Sequence, residues 1–303
     1  MKIHVRCYDC LLSRIEYECR LSTSDEGKNR QVLSGCRTLL DRYRGSPHPA
    51  SLVASAAHQL AYAVLGDPDP YRHIKEASTL EAIRACQAVR HRLSGFRDYA
   101  LASVIANTFD YGVLSHQVTD DFMTFFDEEF RKGFFIDDTG GMADRAREIV
   151  YFTDTAGEII FDRLFIGHLS ATGSHVTVAV KGAPILNDAT MADAERAGLH
   201  RIASVTHTGS GDIGVNLGKI PPNLREAIDR CSLIIAKGMA NYEALTEHSG
   251  LPPIAYLMAV KCPTIAESIG VPEGSLVALL EDEGGYHNPG CRNGGGETRQ
   301  CPD

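Results

Sequence analysis

The sequence has no stretch of about 18 consecutive apolar residues, the length that a helix needs to cross a membrane. Its opening residues also lack the uninterrupted apolar core of a secretory signal, because charged side chains break them at Arg6, Asp9, Arg14 and Glu16. These two absences predict a protein that neither spans a membrane nor is exported. The expected location is the cytoplasm.

Positive charge is scarce as well. The 303 residues include 30 Lys and Arg against 39 Asp and Glu, which gives a formal net charge of −9. Proteins bind nucleic-acid backbones mainly through Lys and Arg, so this balance argues against a nucleic acid as the main partner. A small anionic ligand is compatible with it, because a few cations can dominate the field of one cleft.

The nine cysteines are odd in number and form no evenly spaced framework. Without an export signal, this pattern favours reduced thiols or a metal site over disulfides. Cys7 and Cys10 form a single Cys-x-x-Cys pair, whereas a zinc site usually needs a second pair. Cys262 could supply a third ligand, so plain thiols, a metal cluster and a redox pair all stay open for these residues.

Residues 1–147 have the apolar spacing of helices. In residues 49–66 and 71–93, apolar side chains recur every three or four positions, as on one face of a helix. The segment 66–70, Gly-Asp-Pro-Asp-Pro, separates them, because proline cannot continue a helix and disfavours helical backbone in the residue before it. The pattern predicts a helical N-terminal domain, either a bundle or a cap.

From residue 148 the pattern changes to short apolar runs, rich in β-branched residues and separated by segments of helical length. Such runs are typical of buried parallel strands, and their alternation with helices predicts a doubly wound α/β domain over residues 148–283. Residues 284–303 are glycine-rich, have no apolar periodicity and are expected to be disordered. The six predicted strands are residues 149–153, 175–180, 201–206, 232–236, 254–260 and 275–280.

Charged residues and glycines follow five of these runs, where each strand would end. The carboxyl ends of parallel strands meet at one edge of a sheet, and ligands bind in the crevice outside that edge. Asp188 alone could instead cap the helix that follows it, but capping explains neither the lysines nor the lysine–glycine pairs. The five segments together predict a functional site. They are residues 154–158, 181–190, 207–214, 237–243 and 261–263.

The residue types at this edge predict a reaction class. Asp154 and Asp188 supply the hard oxygen ligands that suit Mg²⁺, Mn²⁺ or a similar cation. Lysines at strand ends supply positive charge, and the glycine loop 208–214 offers backbone N–H groups to an anion. This combination indicates phosphoryl-group chemistry. The loop is not a P-loop, and despite its Gly-x-Gly-x-x-Gly spacing no helix clearly opens there, as a dinucleotide site would require.

Several short motifs, in one order along the chain, match those of a known family. They are Cys7 with Cys10, residues 107–112 (NTFDYG), 154–158, 187–190 and 237–243, and Lys261 with Cys262. From Met1 to about Glu281 the chain resembles the damage-control metal phosphatases, formerly a domain of unknown function and grouped with protein-glutamate O-methyltransferase-like proteins. It is most similar to their shorter prokaryotic and archaeal branch.

The resemblance implies a helical N-terminal part packed on a Rossmann-like, parallel-sheet C-terminal domain. It also implies a metal-dependent phosphomonoester hydrolase that acts on a small phosphorylated metabolite, such as a sugar phosphate or a damaged cofactor precursor. The cofactor would be Mn²⁺, Mg²⁺, Co²⁺ or Ni²⁺, held by Asp154, Thr155 and Asp188. Catalysis would use the two aspartates together with Asn107 and Asp110. The implied substrate- and phosphate-binding residues are Lys237, Lys181, Gly238, Asn241, Glu158 and Lys261.

Thr155 departs from the family pattern, which has Asn at this position. A hydroxyl is a poorer neutral ligand than an amide oxygen and reaches one bond less far. Ala106, next to the Asn107 motif, likewise replaces a glycine that is usual in the family. The metal would then be bound more weakly or through water, or the chemistry has changed. Asn107 and Asp110 also fit a plain helix end with local hydrogen bonds.

Two rival functions stay open. One is S-adenosylmethionine-dependent carboxyl methylation, an activity also attached to the family, because the glycine loop 208–214 after a strand could accommodate that cofactor. Against it, the next predicted strand ends at Lys237 and not at an acidic residue that would anchor the ribose. The other is a non-catalytic, metabolite-binding protein that has lost the Asn at position 155. The sequence predicts neither the physiological substrate nor the oligomeric state.

Overall fold

A computed structural model describes residues 3–46, 48–108 and 118–282. Two predictions, the catalytic role of Asp110 and the disorder of residues 284–303, concern positions outside these ranges. Within them the chain forms twelve α-helices and one seven-stranded sheet. None of these helices has the length and apolar character needed to span a membrane.

The first three helices pack against one another around a common apolar core. They are α1 (Val5–Ser22), α2 (Glu26–Tyr43) and α3 (Ala50–Leu65). The Asp25 side chain caps the start of α2. Gly66 ends α3 with a φ of 68°, a left-handed conformation that glycine adopts without a Cβ penalty. The buried residues of this core include Val32, Cys36, Leu40, Val53, Ala57 and Ala61.

Four more helices confirm the helical character predicted for this part of the chain. They are α4 (Arg72–Val89), α5 (Gly95–Thr108), α6 (Val118–Lys132) and α7 (Thr139–Arg145). The last turn of the predicted helix 71–93 is a 3₁₀ turn at Arg90–Arg92. One short strand, β1 (Ile136–Asp137), also lies in this part. The sequence does not reveal it, because two residues are too few to show a periodicity.

The remaining strands lie where the apolar runs predict them. They are β2 (Glu148–Phe152), β3 (His175–Val180), β4 (Ser204–His207), β5 (Leu233–Lys237), β6 (Ile254–Ala259) and β7 (Leu276–Glu281). The helices between them are α8 (Ile159–Ala171), α9 (Met191–Ala197), α10 (Pro222–Arg230), α11 (Gly238–Leu245) and α12 (Pro263–Ile269). The predicted α/β class is confirmed.

The sheet has the strand order β1-β7-β6-β5-β2-β3-β4 and is parallel except at one pairing. Strand β7 runs antiparallel to β6, with Glu281 opposite Ile254, so this one pairing departs from the predicted parallel arrangement. An apolar run records burial on both faces of a strand but not its direction. Strand β4 begins three residues later than predicted because Leu199–Arg201 form a 3₁₀ turn.

Helices cover both faces of the sheet. Ile149 and Tyr151 of β2 point into one apolar core, which also contains buried residues of α5 and α8. Val150 and Phe152 point into the opposite core, together with residues of α10, α11 and α12. The side chains of a strand alternate between the two faces, and here both faces are apolar, which explains the nearly continuous apolar runs in the sequence.

The order of the strands creates a crevice at their carboxyl ends. From β2 the chain moves outward through β3 and β4, then returns to form β5 on the other side of β2. The connections that leave β2 and β5 therefore diverge, and the space between them is where α/β sheets bind ligands. Asp154 follows β2 and Gly238 follows β5, so both lie at this crevice.

Candidate active site

The turn after β2 and the loop after β3 lie side by side at the crevice. The backbone N–H of Ala189 donates to the carbonyl of Asp154 at 2.8 Å, and that of Ala156 donates to the carbonyl of Asn187 at 2.9 Å. Thr155 and Asp188 form an antiparallel bridge between the same two segments. The structure thus brings together the three residues predicted to hold a metal.

Asp154 and Asp188, hereafter the aspartate pair, lie in an environment that disfavours their negative charge. The surrounding protein, Glu158 and Asp188 raise the pKa of Asp154 to about 8, against the smaller opposing effects of Asn107 and Lys261. Burial also raises the pKa of Asp188, although Lys181 and Lys75 oppose the rise. A cation bound between the two carboxylates would relieve this repulsion.

Asn107, the predicted site residue at the end of α5, reaches the same point from the helical part. Its Nδ2 donates to Asp154 Oδ2 at 2.7 Å and to Glu158 Oε2 at 2.6 Å. One amide group therefore holds two carboxylates at once, which fixes the orientation of Asp154. Only 5% of Asn107 is exposed, so its contacts are made inside the protein.

Lys237, Glu158 and Asp162 form a second group of charges behind the aspartate pair, hereafter the lysine cluster. All three side chains are completely buried. The Lys237 ammonium donates to Glu158, to Asp162 Oδ1 at 2.6 Å and to the carbonyl of Ser103 at 3.3 Å. Burial alone would lower the pKa of Lys237, but the charges of Asp162 and Glu158 outweigh it and the pKa is raised.

The contacts of the lysine cluster bear on the predicted phosphate-binding roles of Lys237 and Glu158. An ammonium has three N–H donors, and here each of them has an acceptor. A phosphate could bind Lys237 only by displacing one of these acceptors. The roles of both residues in phosphate binding stay predictions, and the contacts that the structure shows are with other protein groups.

Gly238 and Asn241, at the start of α11, shape the wall of the crevice. Gly238 has a φ of 76°, and a Cβ at this position would lie 2.0 Å from Asp154 Oδ2, so only glycine lets the aspartate adopt its position. Asn241 Nδ2 donates to the carbonyls of Thr153 and Lys237 at 3.1 and 2.8 Å. Both residues thus pack the ends of β2 and β5 together.

The other two predicted lysines differ in exposure. Lys181 is buried, and its Nζ donates to the carbonyls of Asp212 and Gly214 at 2.9 and 2.7 Å and lies 3.4 Å from Asp188 Oδ2. Lys261 is exposed, and its Nζ donates to the carbonyl of Asn107. Of the three lysines that follow strands, Lys261 is therefore the most accessible to a ligand.

Asp188 does not cap the following helix. Thr190 caps α9 in a reciprocal arrangement: its side chain accepts from the backbone N–H of Asp193, and its own backbone N–H donates to Asp193 Oδ2 at 2.9 Å. The alternative role that the sequence leaves open for Asp188 is thus filled by another residue. Its carboxylate is left to face Asp154 and Lys181.

The glycine loop after β4 packs against the protein. A Cβ on Gly182 would lie 2.7 Å from the carbonyl carbon of Gly209, and one on Gly211 would lie 3.0 Å from the carbonyl oxygen of Pro184. The side chain of Asp212 accepts hydrogen bonds from three neighbouring side chains, those of Gln59, Asn216 and Lys219. A Cβ on Gly209 would meet Lys219, and one on Gly214 would meet Ala240. Close packing therefore explains the glycines without a bound anion.

Two residues near the site were not predicted. Lys75 of α4 is 97% buried, pairs with Asp69 Oδ2 at 2.8 Å and places positive charge near Asp188. Asp162 interrupts the otherwise apolar start of α8. A single acid four residues after Glu158 in an apolar helix is the signal that could have revealed the lysine cluster, because buried acids require partners.

The oxygen donors of the aspartate pair and Thr155 suit a hard divalent cation, which often takes one or two carboxylates and completes its coordination with water. Thr155 Oγ1 lies 3.4 Å from the backbone N of Glu158, from which it accepts a hydrogen bond. Across the described ranges, no three His, Cys, Asp or Glu side chains are grouped as a metal site. A metal here would thus rest on two carboxylates.

The cysteine motif lies close to this edge of the molecule. Cys7 is half-buried, and burial together with the nearby Glu243, Cys262 and Cys10 raises the pKa of its thiol. All three cysteines are free thiols. The described residues contain no three-ligand group of His, Cys, Asp or Glu, so the structure gives no support to a metal cluster there.

Several known proteins are similar to this chain in sequence and in fold. Residues 3–277 match the family model described as damage-control phosphatase ARMT1-like domain. Over 288 residues the chain is 37% identical to an Archaeoglobus fulgidus protein named damage-control phosphatase. The alignment covers 92% of this chain and 99% of that protein. It is 30% identical over 287 residues to a damage-control phosphatase of Pyrococcus horikoshii, covering 92% and 98%.

A solved structure has the same architecture. The crystal structure of a DUF89 family protein from Pyrococcus horikoshii superposes with a TM-score of 0.86 and 28% sequence identity, over 92% of this chain and 99% of that one. The family model spans most of the chain, and the curated relatives align with it over nearly their whole length. The chain therefore belongs to the damage-control phosphatase ARMT1-like domain family.

Proposed function

We propose that this protein is a divalent-metal-dependent phosphatase that removes phosphate from a small metabolite. The observation that carries the proposal is the meeting of Asp154 and Asp188, two carboxylates with raised pKa values, at the crevice between β2 and β5. Membership in the family, in which two curated relatives are named damage-control phosphatases, supports the reaction class. The substrate class, a sugar phosphate or damaged cofactor precursor, is part of the proposal.

The roles follow from position and exposure. Asp154, Asp188 and Thr155 would hold the cation, which supplies positive charge to the phosphate oxygens when bound. Asn107 keeps Asp154 oriented through its hydrogen bond to Oδ2. Lys261, exposed at the end of β6, is the lysine we assign to the phosphate, because a point charge there needs no rearrangement of the protein.

Lys181 and Lys237 then act on the protein itself. Lys181 ties the loop after β4 to Asp188, since its ammonium contacts two carbonyls of that loop and lies 3.4 Å from the carboxylate. Lys237 neutralises Glu158 and Asp162, and Glu158 in turn shares Asn107 with Asp154. Both lysines thereby fix the carboxylates that the reaction needs.

The test is an assay of p-nitrophenyl phosphate and a panel of sugar phosphates with Mg²⁺, Mn²⁺, Co²⁺ and Ni²⁺. We expect hydrolysis that depends on the added metal and falls at least about a hundredfold in Asp154→Asn and in Asp188→Asn. Asp137→Asn serves as the control, because in the described part of the chain the Asp137 side chain contacts Arg97, at 2.7 Å, and Thr139, neither of which belongs to the site.

Two results would count against the proposal. Metal-independent hydrolysis, or full activity in either site variant, would remove the aspartate pair from the reaction. No hydrolysis of any substrate with any metal, combined with S-adenosylmethionine binding by calorimetry, would replace the phosphatase by a methyltransferase.

A further inference from the structure

The loop that carries Asp188 contains an unfavourable backbone conformation. Leu186, two residues before Asp188, has a φ of 48° and is the one residue other than glycine with a positive φ in the described ranges. Its Cβ makes this left-handed conformation costly, so neighbouring groups must hold it. Because Leu186 lies next to a proposed metal ligand, the groups that hold its backbone also bear on the position of Asp188.

The group that contacts Leu186 is a tyrosine of the helical part. The backbone N–H of Leu186 donates to the hydroxyl oxygen of Tyr62, on α3, at 3.0 Å. The Tyr62 hydroxyl in turn donates to Glu18 Oε1, on α1, at 3.0 Å. His58 Nδ1 lies 2.9 Å from Glu18 Oε2, so the carboxylate itself is held from a second side.

This chain of contacts is buried throughout. Glu18, His58 and Tyr62 are 0, 1 and 8% exposed, so water does not compete for the hydrogen bonds. Burial and the charge of Glu18 raise the pKa of Tyr62 far above its ordinary value, which keeps the hydroxyl protonated and able to donate. The Tyr62 oxygen is then free to accept from Leu186.

The loop is held at two ends by different parts of the molecule. Ile185 is completely buried in the apolar core of α1, α2 and α3, and Leu186 packs against the same core. On the other side of Asp188, the N–H of Ala189 donates to the carbonyl of Asp154 at 2.8 Å. Asp188 therefore lies between an attachment to the helices and an attachment to the sheet.

We propose that Tyr62 is a positioning residue that sets the place of the Asp188 carboxylate through the backbone of Leu186, with Glu18 and His58 holding Tyr62. The inference rests on the proposed function, in which Asp188 binds the metal. In this proposal the helical part contributes to metal binding, because Glu18 lies on α1 and both His58 and Tyr62 lie on α3.

The experiment compares Tyr62→Phe with Tyr8→Phe in the full-length protein. Tyr8 lies in the same helical core, and its buried hydroxyl has no hydrogen-bond partner among the described residues. Its loss therefore removes the same atom without removing a hydrogen bond to the described residues. Circular dichroism verifies that both variants are folded, and two further measurements follow.

The first measurement is hydrogen exchange at the Leu186 amide without metal. We expect it to be at least about tenfold faster in Tyr62→Phe, since the amide loses its acceptor, and unchanged in Tyr8→Phe. The second is calorimetric titration with Mn²⁺. We expect about tenfold weaker binding in Tyr62→Phe alone, because a loop that is ordered only part of the time must be ordered on binding.

The outcomes separate this inference from the proposed function. Unchanged exchange at Leu186 in Tyr62→Phe, or faster exchange with unaltered Mn²⁺ affinity, overturns the positioning role. Equal weakening in Tyr8→Phe does the same, since it would reflect a general loss of packing. If the parent protein binds none of Mg²⁺, Mn²⁺, Co²⁺ and Ni²⁺, the proposed function fails instead, and exchange at Leu186 still decides whether Tyr62 holds the loop.

Discussion

The lysine cluster and the aspartate pair are neighbours, and Asn107 contacts a carboxylate of each. They differ in how their charges are balanced. In the lysine cluster, the Lys237 ammonium donates hydrogen bonds to both carboxylates, Glu158 and Asp162. Beside the aspartate pair, the Lys181 ammonium donates two hydrogen bonds to backbone carbonyls. Its Nζ lies 3.4 Å from Asp188 Oδ2, farther than Lys237 Nζ lies from Asp162 Oδ1.

The difference separates carboxylates that a lysine of the protein neutralises from carboxylates for which we propose a metal ion. Buried charges are tolerated when they are paired, as in the lysine cluster. Burial raises the pKa of both members of the aspartate pair. The charges of Glu158 and Asp188 raise that of Asp154 further, and Lys181 offsets the rise at Asp188 only in part. A divalent cation would neutralise the carboxylates of the aspartate pair, as the Lys237 ammonium neutralises Glu158 and Asp162 in the lysine cluster.

Removing the lysine of the lysine cluster should have the largest effect on stability. In Lys237→Met, Glu158 and Asp162 lose their cation in a fully buried place, and breaking a buried ion pair costs about 3–5 kcal/mol. We expect the free energy of unfolding in urea at pH 7.5 to fall by about this amount. The control is Lys132→Met, because the Lys132–Glu129 pair has an exposed lysine and its loss should leave the value nearly unchanged.

A matched change at the crevice sharpens the contrast. Lys261→Met should not reduce the free energy of unfolding, since Lys261 is exposed, but inorganic phosphate should inhibit the enzyme at least about tenfold more weakly. If Lys237→Met instead loses less than about 1 kcal/mol and weakens phosphate inhibition, Lys237 belongs to phosphate binding as the sequence predicts.

The unbalanced charge of the aspartate pair predicts how the metal-free protein responds to pH. The pKa of Asp154 is about 8 in the folded protein and near 3.9 when unfolded, so the folded state holds the proton more tightly. The stability from this proton is complete below about pH 4 and is lost as pH rises to 8. In the presence of a chelator, we expect urea unfolding to require less urea at pH 8 than at pH 5.

Asp154→Asn is the control for this pH dependence. The amide cannot titrate, so the loss of stability between pH 5 and 8 should be smaller in the variant than in the parent. Asp162, whose pKa burial raises to about 7, contributes a loss of the same sign and remains in both proteins. Identical pH profiles for parent and variant would show that Asp154 is already ionised at pH 5.

The smallest expected effect is at Thr155. Its hydroxyl is a weak ligand, and β-branching restricts its χ1 rotation, whereas the amide oxygen of Asn reaches further. Calorimetry should show roughly three- to tenfold tighter Mn²⁺ binding in Thr155→Asn, and Thr155→Val should bind no better than the parent. Unchanged or weaker binding in Thr155→Asn would mean that the site is adapted to Thr155, and the phosphatase proposal should then give way to a rival.

The fold was largely predictable because buried helices and strands have characteristic local patterns of apolar residues. Each of the six predicted strands exists, since both faces of the sheet are covered and the runs are apolar throughout. The direction of β7 was not predictable, because pairing partners and not the run itself determine it. The two-residue strand β1 was missed because it is too short to show alternation.

For the site, the sequence identified the edge but not the contacts. Residues that follow parallel strands must meet at one edge, which is why Asp154, Asp188 and Lys261 were found. Side-chain direction is not encoded locally, so the sequence could not show that Lys237 points toward Asp162. Leu186 and Tyr62 are 124 residues apart, and no local pattern joins them.

The return of the chain from β4 to β5 has a consequence for the protein as it is made. Glu158 and Lys237 are 79 residues apart, and ribosomes add about 5–20 residues per second. Glu158 is therefore translated roughly 4–16 seconds before its lysine exists. During that time Glu158 has Asn107 as a partner but no cation. We therefore expect the turn that carries Asp154 to reach its final packing only after β5 has left the ribosome.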